Sequence, residues 1–291
     1  MRISPEFIRH LTAVSQSIAY SHFRFSGIEG GGHTVLRLGD GTEFAEHQSY
    51  SLGDDPRYLD WKLYARRSSL QIKKFYPDVS RMIYLFLDTS GSMDYGNPQK
   101  FDYAVRLAAG IAFLSLRGFD TINILTGNTP KGEALLGCRH LSSFPRPIHF
   151  LESLKPCGKD TDLLSCWRFM TNLHLPPGPI WIFSDFYDIA PWKDSLQFLR
   201  FHHFLPLPVR ITAPEEFCFP HRGDLTLVDL ETSRQKQIHI TKSLRREYEN
   251  HFQHLSSQIR HAARSAGIQL KEISTVFSAE KFLLQLVQNN R

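Results

Sequence analysis

The chain has 291 residues, of which 42% are hydrophobic and 22% are charged. This length and apolar content are sufficient for a packed core and exclude an intrinsically disordered chain. The formal net charge is +5, but the basic residues are scattered singly or in pairs, which is typical of solvated surfaces. We therefore expect no nucleic-acid partner.

The cysteines and the start of the chain predict the compartment. The first residues, MRISPEFIRHLTAV, lack the unbroken apolar stretch of a signal peptide. No later segment approaches the roughly 18 apolar residues that would span a bilayer. The four cysteines show no C-x-x-C pairing, so neither a zinc site nor a disulfide framework is predicted. These features predict a cytoplasmic protein without a membrane span.

Residues 1–78 are predicted to form an N-terminal helix and a β-rich segment. The helix is expected from about Pro5 to Tyr20, and the β-rich segment is expected to end near Phe75. The glycine-rich stretch GIEGGG, residues 27–32, separates the two. It lacks the Lys-Ser/Thr of a phosphate-binding loop and precedes no predicted helix, so we interpret it as a hinge or turn.

Within this segment, GDDPRYLDW has the features of a helix start. Asp55 is predicted as the N-cap, Pro56 as the first helical residue and Trp61 as part of the apolar face. The functional alternative is that the charged side chains contact a partner protein. The residues concerned are Asp54, Arg57 and Asp60.

Strands alternate with helices in residues 79–291. MIYLFL, KFDYAVRLAAGIAFLSLRG and TINILTG predict a right-handed strand–helix–strand unit whose helix is apolar nearly all round and therefore buried. Later strands are PIWIFS, HFLPLPVRI and GIQLKEIS, and the last two helices are predicted at Ser243–Ala266 and Ala279–Gln288. The pattern predicts an α/β fold with an open, mostly parallel, Rossmann-like sheet covered by helices on both faces. A β-hairpin is expected as an insertion near residues 224–241.

Oxygen-bearing side chains follow several of these strands. Asp88, Ser90 and Ser92 come directly after MIYLFL, and Asp185 comes directly after PIWIFS. Thr161 lies at a loop-to-helix junction between them. Because ligands gather at the carboxyl ends of the strands in such sheets, we expect these side chains to bind one Mg²⁺, with Mn²⁺ or Ca²⁺ as alternatives. Only two of the five donors are charged, so the metal would retain attraction for an outside carboxylate.

This set resembles the metal-ion-dependent adhesion site of von Willebrand factor A-like domains, which is Asp-x-Ser-x-Ser with a distant Thr and a distant Asp. The stretches GTEFAEHQSYSLGDDPRYLDWKLYARRSSLQIKKF, LVDLET and RREYENHFQHLSSQIRHAARSAGIQLKEIST resemble the bacterial domain-of-unknown-function family fifty-eight. Its members often occur beside MoxR-type AAA+ ATPases. Gln48 departs from the Arg expected in that family, and the membrane-spanning N-terminal helices of many longer relatives are absent.

The resemblance implies a non-enzymatic interaction module with a von Willebrand factor A-like domain at residues 79–291. Its metal would bind a Glu or Asp of a protein partner. The implied partner is a MoxR-type AAA+ ATPase or its client, with this chain as an adaptor.

The alternative function is a haloacid-dehalogenase-like, Mg-dependent phosphatase with Asp88 as the nucleophile. The further residues that fit this enzyme in outline are Thr126, Lys159, Asp185 and Asp188. Its mechanism needs Asp-x-Asp, because the second carboxylate serves as general acid and base. Ser90 stands at that position and has no useful pKa, so the sequence favours the interaction module.

Overall fold

The computed structural model describes residues 3–16, 43–51, 54–67, 69–76, 81–127, 133–157, 163–218, 223–229 and 234–288. The chain divides into two compact units. The larger contains Met1–Gly31 and Arg81–Arg291, and the smaller contains Gly32–Ser80. The predicted N-terminal segment, 1–78, is therefore divided between the two units. Its helix belongs to the larger one because the apolar face of that helix packs on the larger core.

The described residues form helices and strands with the following bounds. The helices are α1 (Pro5–Gln16), α2 (Trp61–Arg67), α3 (Lys100–Arg117), α4 (Pro145–Ser153), α5 (Leu163–Asn172), α6 (Ile189–Phe201), α7 (Pro214–Phe217), α8 (Lys242–Ser265) and α9 (Ala279–Gln288). The strands are β1 (Glu43–Ser49), β2 (Gln71–Tyr76), β3 (Met82–Leu87), β4 (Thr121–Thr126), β5 (Ala134–Cys138), β6 (Pro179–Ser184), β7 (Leu205–Thr212), β8 (Gly223–Val228), β9 (Gln235–Ile240) and β10 (Lys271–Ser274). The predicted extension of α1 to Tyr20 and the stretch GIEGGG lie outside the described residues.

Six strands of the larger unit form one sheet in the order β10-β7-β6-β3-β4-β5. Every neighbouring pair is parallel except β4 with the edge strand β5. The predicted open, mostly parallel sheet is therefore confirmed. The chain order reverses at β3, since β4 lies on one side of it and β6 on the other. This switch point, between β3 and β6, is where ligands bind in sheets of this kind.

Helices cover both faces of this sheet, as predicted. Side chains alternate between the faces along each strand because the strand period is two. Leu85 and Leu87 of β3 pack in a core shared with α1, α3, α4 and α9. Tyr84 and Phe86 pack in a second core shared with α5, α6 and α8. With both faces covered, the central strands are apolar throughout, which explains the unbroken run MIYLFL.

Helix α3 is buried nearly all round, as its sequence predicts. A Cβ atom at Gly110 would collide with the side chain of Leu283 on α9. A larger residue there would force Leu283 to shift, so glycine helps the two helices to approach closely. The predicted hairpin is also present, because β8 and β9 pair antiparallel in a separate two-stranded sheet.

The smaller unit contains the antiparallel pair β1 and β2, and its helix starts later than predicted. Asp55 accepts a hydrogen bond from the Arg57 amide at 2.9 Å, but it caps only a short 3-10 turn, Pro56–Tyr58. Leu59 is extended and ends that turn. Helix α2 therefore begins at Trp61, and the placement of Trp61 on an apolar face is wrong, since this side chain is 63% exposed.

Candidate metal centre

Asp88 lies directly beyond β3, at the switch point of the sheet. Its backbone amide donates to the carbonyl of Phe183 at 3.0 Å and extends the pairing of β3 with β6. Its carboxylate accepts two hydrogen bonds, from the Ser90 amide at 3.0 Å and from the Ser184 hydroxyl at 2.6 Å. The residue is 4% exposed. Local bonds thus fix a buried carboxylate at the carboxyl edge of the sheet.

The two serines of the motif lie on the turn that follows. Gly91–Met93 form a single 3-10 turn, and its Met93 side chain is buried. The hydroxyl oxygens of Ser90 and Ser92 are 3.0 Å apart. Because the Ser90 amide also donates to the Asp88 carboxylate, hydrogen bonds link all three motif residues. The spacing by two thus places the three residues in one hydrogen-bonded loop, with the two hydroxyls side by side.

Thr161, the predicted fourth ligand, lies outside the described residues. The chain just before it is tied to the motif loop. The amide of Cys157 donates to the carbonyl of Thr89 at 2.9 Å, and its thiol lies 3.3 Å from the same oxygen. The role of Thr161 as a ligand stays a prediction.

Asp185 lies directly beyond β6, the neighbour of β3, and is 3% exposed. It does not hydrogen-bond the motif serines. Its Oδ2 atom accepts a hydrogen bond from the Lys100 ammonium at 2.8 Å, and Lys100 also donates to Glu216 at 2.5 Å. The three side chains form a buried ionic group that we call the Lys100 triad. Two carboxylates share one ammonium, so the triad carries a net negative charge.

The electrostatics of the triad keep Lys100 charged. Burial alone would lower the pKa of Lys100, but the charges and hydrogen bonds of Asp185 and Glu216 outweigh it and raise that pKa above its ordinary value of 10.5. Burial also raises the pKa of the neighbouring Tyr187, and the charges of Glu216 and Asp185 raise it further. Burial and the two carboxylates together favour a neutral Tyr187, and the two carboxylates favour a charged Lys100.

The donor set fits a hard divalent cation. A carboxylate and two hydroxyls are linked on one turn, and a second carboxylate follows the adjacent strand. Oxygen ligands of this kind suit Mg²⁺, which keeps several waters when few protein ligands are charged. Within the described residues, no three His, Cys, Asp or Glu side chains are grouped so that they could hold a metal. A centre at this place would include the adjacent hydroxyls of Ser90 and Ser92.

The partner-binding candidates Asp54, Arg57 and Asp60 lie in the smaller unit and are engaged locally. Asp54 accepts a hydrogen bond from the Ser51 amide at 2.9 Å. Arg57 donates to the carboxylate of Asp55 at 2.8 Å. These local hydrogen bonds account for Asp54 and Arg57 without a partner protein. Contact of the two residues with a partner stays a prediction.

Asp60 begins α2. Its Oδ1 atom accepts hydrogen bonds from the amides of Lys62 and Leu63, each at 3.0 Å. Its Oδ2 atom lies 3.0 Å from the His47 ring and 3.4 Å from the Lys73 ammonium. The hydrogen bonds from His47 and Leu63, with the charge of Lys73, lower the pKa of Asp60 from 3.8 to about 2.

The structure gives no support to the phosphatase alternative. The hydroxyl of Thr126 bonds the backbone of Glu133, at 3.2 Å to its oxygen and 3.1 Å to its nitrogen. Asp188 is the residue before α6 and makes no capping bond there. Lys159 lies outside the described residues. Ser90 remains at the position where that mechanism needs a carboxylate.

Sequence reasoning missed Lys100, Glu216 and Ser184. The sequence pattern identifies Lys100 only as the first residue of an apolar helix. Glu216 follows β7, which neighbours β6, so the rule that places Asp185 at the carboxyl edge would also have placed Glu216 there. Two adjacent acidic residues after a strand, in PEEF, were the available signal.

A comparison with known protein families shows which family this chain belongs to. Residues 46–258 match the model of DUF58, a protein family of unknown function. This match covers more than half of the chain, so the protein belongs to the DUF58 family. The resemblance recognised in the sequence is thereby confirmed at the level of the family.

Two relatives are uncharacterised mycobacterial proteins, Mb1516 of Mycobacterium bovis and Rv1480 of Mycobacterium tuberculosis. Each is 26% identical over 257 residues, which are 87% of this chain and 80% of the relative. Neither name states an activity.

Three solved structures are similar in part. BatB of Bacteroides thetaiotaomicron has a TM-score of 0.45 at 14% identity, covering 72% of this chain and 98% of BatB. An aerotolerance-related membrane protein of Bacteroides fragilis has a TM-score of 0.45 at 15% identity, covering 72% and 100%. The SpRpn10 VWA domain has a TM-score of 0.36 at 12% identity, covering 72% and 95%. In the described part of this chain, no helix combines the length and hydropathy needed to cross a bilayer.

Proposed function

We propose that this protein is a metal-dependent protein–protein interaction module of the von Willebrand factor A-like type, and that it is not an enzyme. The observation that carries the proposal is the bonded group Asp88, Ser90 and Ser92 at the switch point. These three residues would hold Mg²⁺, and Asp185 and Thr161 would complete the set. Bound there, the metal supplies an electrophile for a carboxylate of another protein.

The donor set also determines the kind of partner. Hydroxyl ligands neutralise no charge, so the cation keeps attraction for an acidic side chain. We therefore propose a partner that presents a Glu or Asp, and the family resemblance suggests a MoxR-type AAA+ ATPase or its client. A cytoplasmic location fits this partner, and none of the four cysteines forms a disulfide within the described residues.

The metal is tested by titrating the purified protein with Mg²⁺ in a calorimeter. Asp88→Ala should weaken binding by at least about tenfold, because it removes the charged ligand of the motif. Asp94→Ala is the matched control, since Asp94 is an exposed carboxylate of the same loop, and it should leave the affinity unchanged. Equal affinities for wild type and Asp88→Ala would place the metal elsewhere.

The partner is tested with a purified MoxR-type ATPase from the same organism. Immobilised wild-type protein should retain the ATPase in Mg²⁺ and release it in EDTA, and Asp88→Ala should not retain it. Retention that is unchanged in EDTA and in Asp88→Ala would refute the metal bridge. It would instead direct mutagenesis to Asp54, Arg57 and Asp60.

A further inference from the structure

Lys100 lies at a position that is unfavourable for a cation. It is the first residue of α3, an 18-residue helix, and it is 0% exposed. The N-terminus of a helix carries partial positive charge, so an ammonium there is repelled unless anions compensate it. Burial adds a further cost. Lys100 is stable in this position because its ammonium contacts two carboxylates, which offset both costs.

The lysine is held in place from several sides. Its ammonium lies 5.0 Å from the centroid of the Tyr187 ring and 5.9 Å from that of Tyr95, within the range of cation–π attraction. Its second anion is itself fixed, because the other carboxylate oxygen of Glu216 accepts a hydrogen bond from the Ala213 amide at 2.8 Å. The ammonium therefore has one defined position.

The position of the Lys100 ammonium restricts how Asp185 can coordinate a metal. Among the described residues, one carboxylate oxygen bonds Lys100, and the other accepts a single long hydrogen bond, 3.4 Å, from the Tyr187 amide. The carbonyl of Asp185 accepts a hydrogen bond from Arg210 at 3.2 Å, which also holds the backbone. One side of the carboxylate is thus occupied.

We propose that Lys100 is a positioning residue of the candidate metal centre: by holding one oxygen of Asp185, it leaves this carboxylate only its other oxygen for the metal and prevents coordination by both. The metal then retains water and positive charge for the carboxylate of a partner. This inference rests on the proposed function. Glu216 has the accessory role of anchoring the ammonium.

The test uses Mn²⁺ as the probe, with calorimetry for affinity and water-proton relaxation for the water on the bound ion. Lys100→Met removes the ammonium at similar volume. We expect Mn²⁺ to bind about tenfold more tightly, because a positive charge near the ion is lost and Asp185 is released. The relaxation enhancement per bound ion should fall, because the carboxylate replaces water.

Glu216→Gln is the opposing variant, since it removes a negative charge but leaves Lys100 on Asp185. It should bind Mn²⁺ several-fold more weakly with an unchanged relaxation enhancement.

The double variant Lys100→Met with Glu216→Gln restores the net charge of the triad and leaves fewer carboxylates without a partner. It should bind Mn²⁺ with near wild-type affinity and show the lowered relaxation enhancement that is expected for Lys100→Met. If Lys100→Met alone does not fold, the double variant is measured in its place. Lys242→Met, at an exposed lysine of α8, is the control.

A wild-type relaxation enhancement in both lysine variants would overturn the proposal, because Lys100 would then act by charge alone or by structure alone. Weaker Mn²⁺ binding in Lys100→Met would overturn it as well. If the wild-type protein binds no Mn²⁺ or Mg²⁺, the proposed function itself fails, a result distinct from either of these.

Discussion

Two aspartates of this protein, Asp185 and Asp60, pair with cations in contrasting surroundings. Asp185 is buried, and its ion pair with Lys100 is shielded from water. Asp60 is partly exposed. One of its oxygens pairs with the Lys73 ammonium and lies in hydrogen-bond contact with the His47 ring, and its other oxygen caps α2. An exposed pair is screened by water, whereas breaking a buried pair leaves a charge without solvation.

The comparison also separates structural aspartates from functional candidates. Asp60 bonds two amides of the helix that it begins, so local structure accounts for its presence. Asp185 caps no helix, and it lies at the switch point of the sheet. A buried carboxylate that local structure does not require is the better candidate for a functional role.

The largest expected effect is the loss of the buried cation. In EDTA, Lys100→Met should lower the free energy of unfolding by about 3–5 kcal/mol, because Asp185 and Glu216 lose their shared ammonium. Urea denaturation followed by circular dichroism measures this change. Lys242→Met should remain within about 0.5 kcal/mol of wild type. A loss below about 1 kcal/mol would show that water reaches the triad and that the contrast with Asp60 is false.

A smaller effect is expected for the hydroxyl that supports the other buried carboxylate. Ser184→Ala removes the 2.6 Å hydrogen bond to Asp88 and should cost about 1.5–3 kcal/mol, the range for bonds to charged groups. The same denaturation experiment applies. Ser142→Ala, at an exposed serine, is the control. Equal stability of the two variants would mean that Asp88 is solvated in the native protein.

The pH dependence should differ between the two regions. The pKa of Lys100 is raised above 10.5 in the folded protein, so its contribution to stability is complete below pH 10.5 and is lost as the pH rises through the folded value. The urea midpoint of wild type should therefore fall more, as the pH is raised above 10.5, than that of the double variant Lys100→Met with Glu216→Gln. If the urea midpoints of the two proteins fell in parallel with pH, the result would contradict a charged Lys100 triad.

The smallest effect is expected at Asp60, in the acid range. Its pKa is lowered from 3.8 to about 2, so its contribution is present above pH 3.8 and is lost as the pH falls toward 2. Hydrogen exchange, corrected for intrinsic rates, should show the protection of the Lys62 and Leu63 amides falling over this range. In Asp60→Asn the protection should be lower at pH 5 and nearly independent of pH. A wild-type profile in that variant would assign the capping to another group.

The fold and the two carboxylate positions of the candidate site were predictable because they follow from simple rules. Apolar runs alternating with helical patterns predict a parallel sheet, and the carboxyl ends of its strands share one edge. Asp88 and Asp185 were placed at that edge on this basis. Thr161 was added because it lies at a loop-to-helix junction between the two, and it lies outside the described residues.

The rest depended on tertiary contacts that periodicity does not encode. Lys100 was hidden because a single lysine at the start of an apolar helix has the usual pattern of an exposed residue. Trp61 was misplaced because capping rules identify a helical start but not the extended Leu59 that ends it after one turn. The partner of Lys100, Asp185, is recognised only in three dimensions, whereas Asp60 could have been identified as the cap of α2 from its place directly before Trp61.

The burial of α3 also has a consequence for biosynthesis. The helix is packed by α1 from the beginning of the chain and by α9 from near its end. A nascent chain on the ribosome would therefore expose the apolar surface of α3 until Leu283 and Leu286 have emerged from the exit tunnel. Contacts so distant in sequence form slowly. The interval before α9 emerges is thus the period in which the chain is most exposed to aggregation and to chaperone binding.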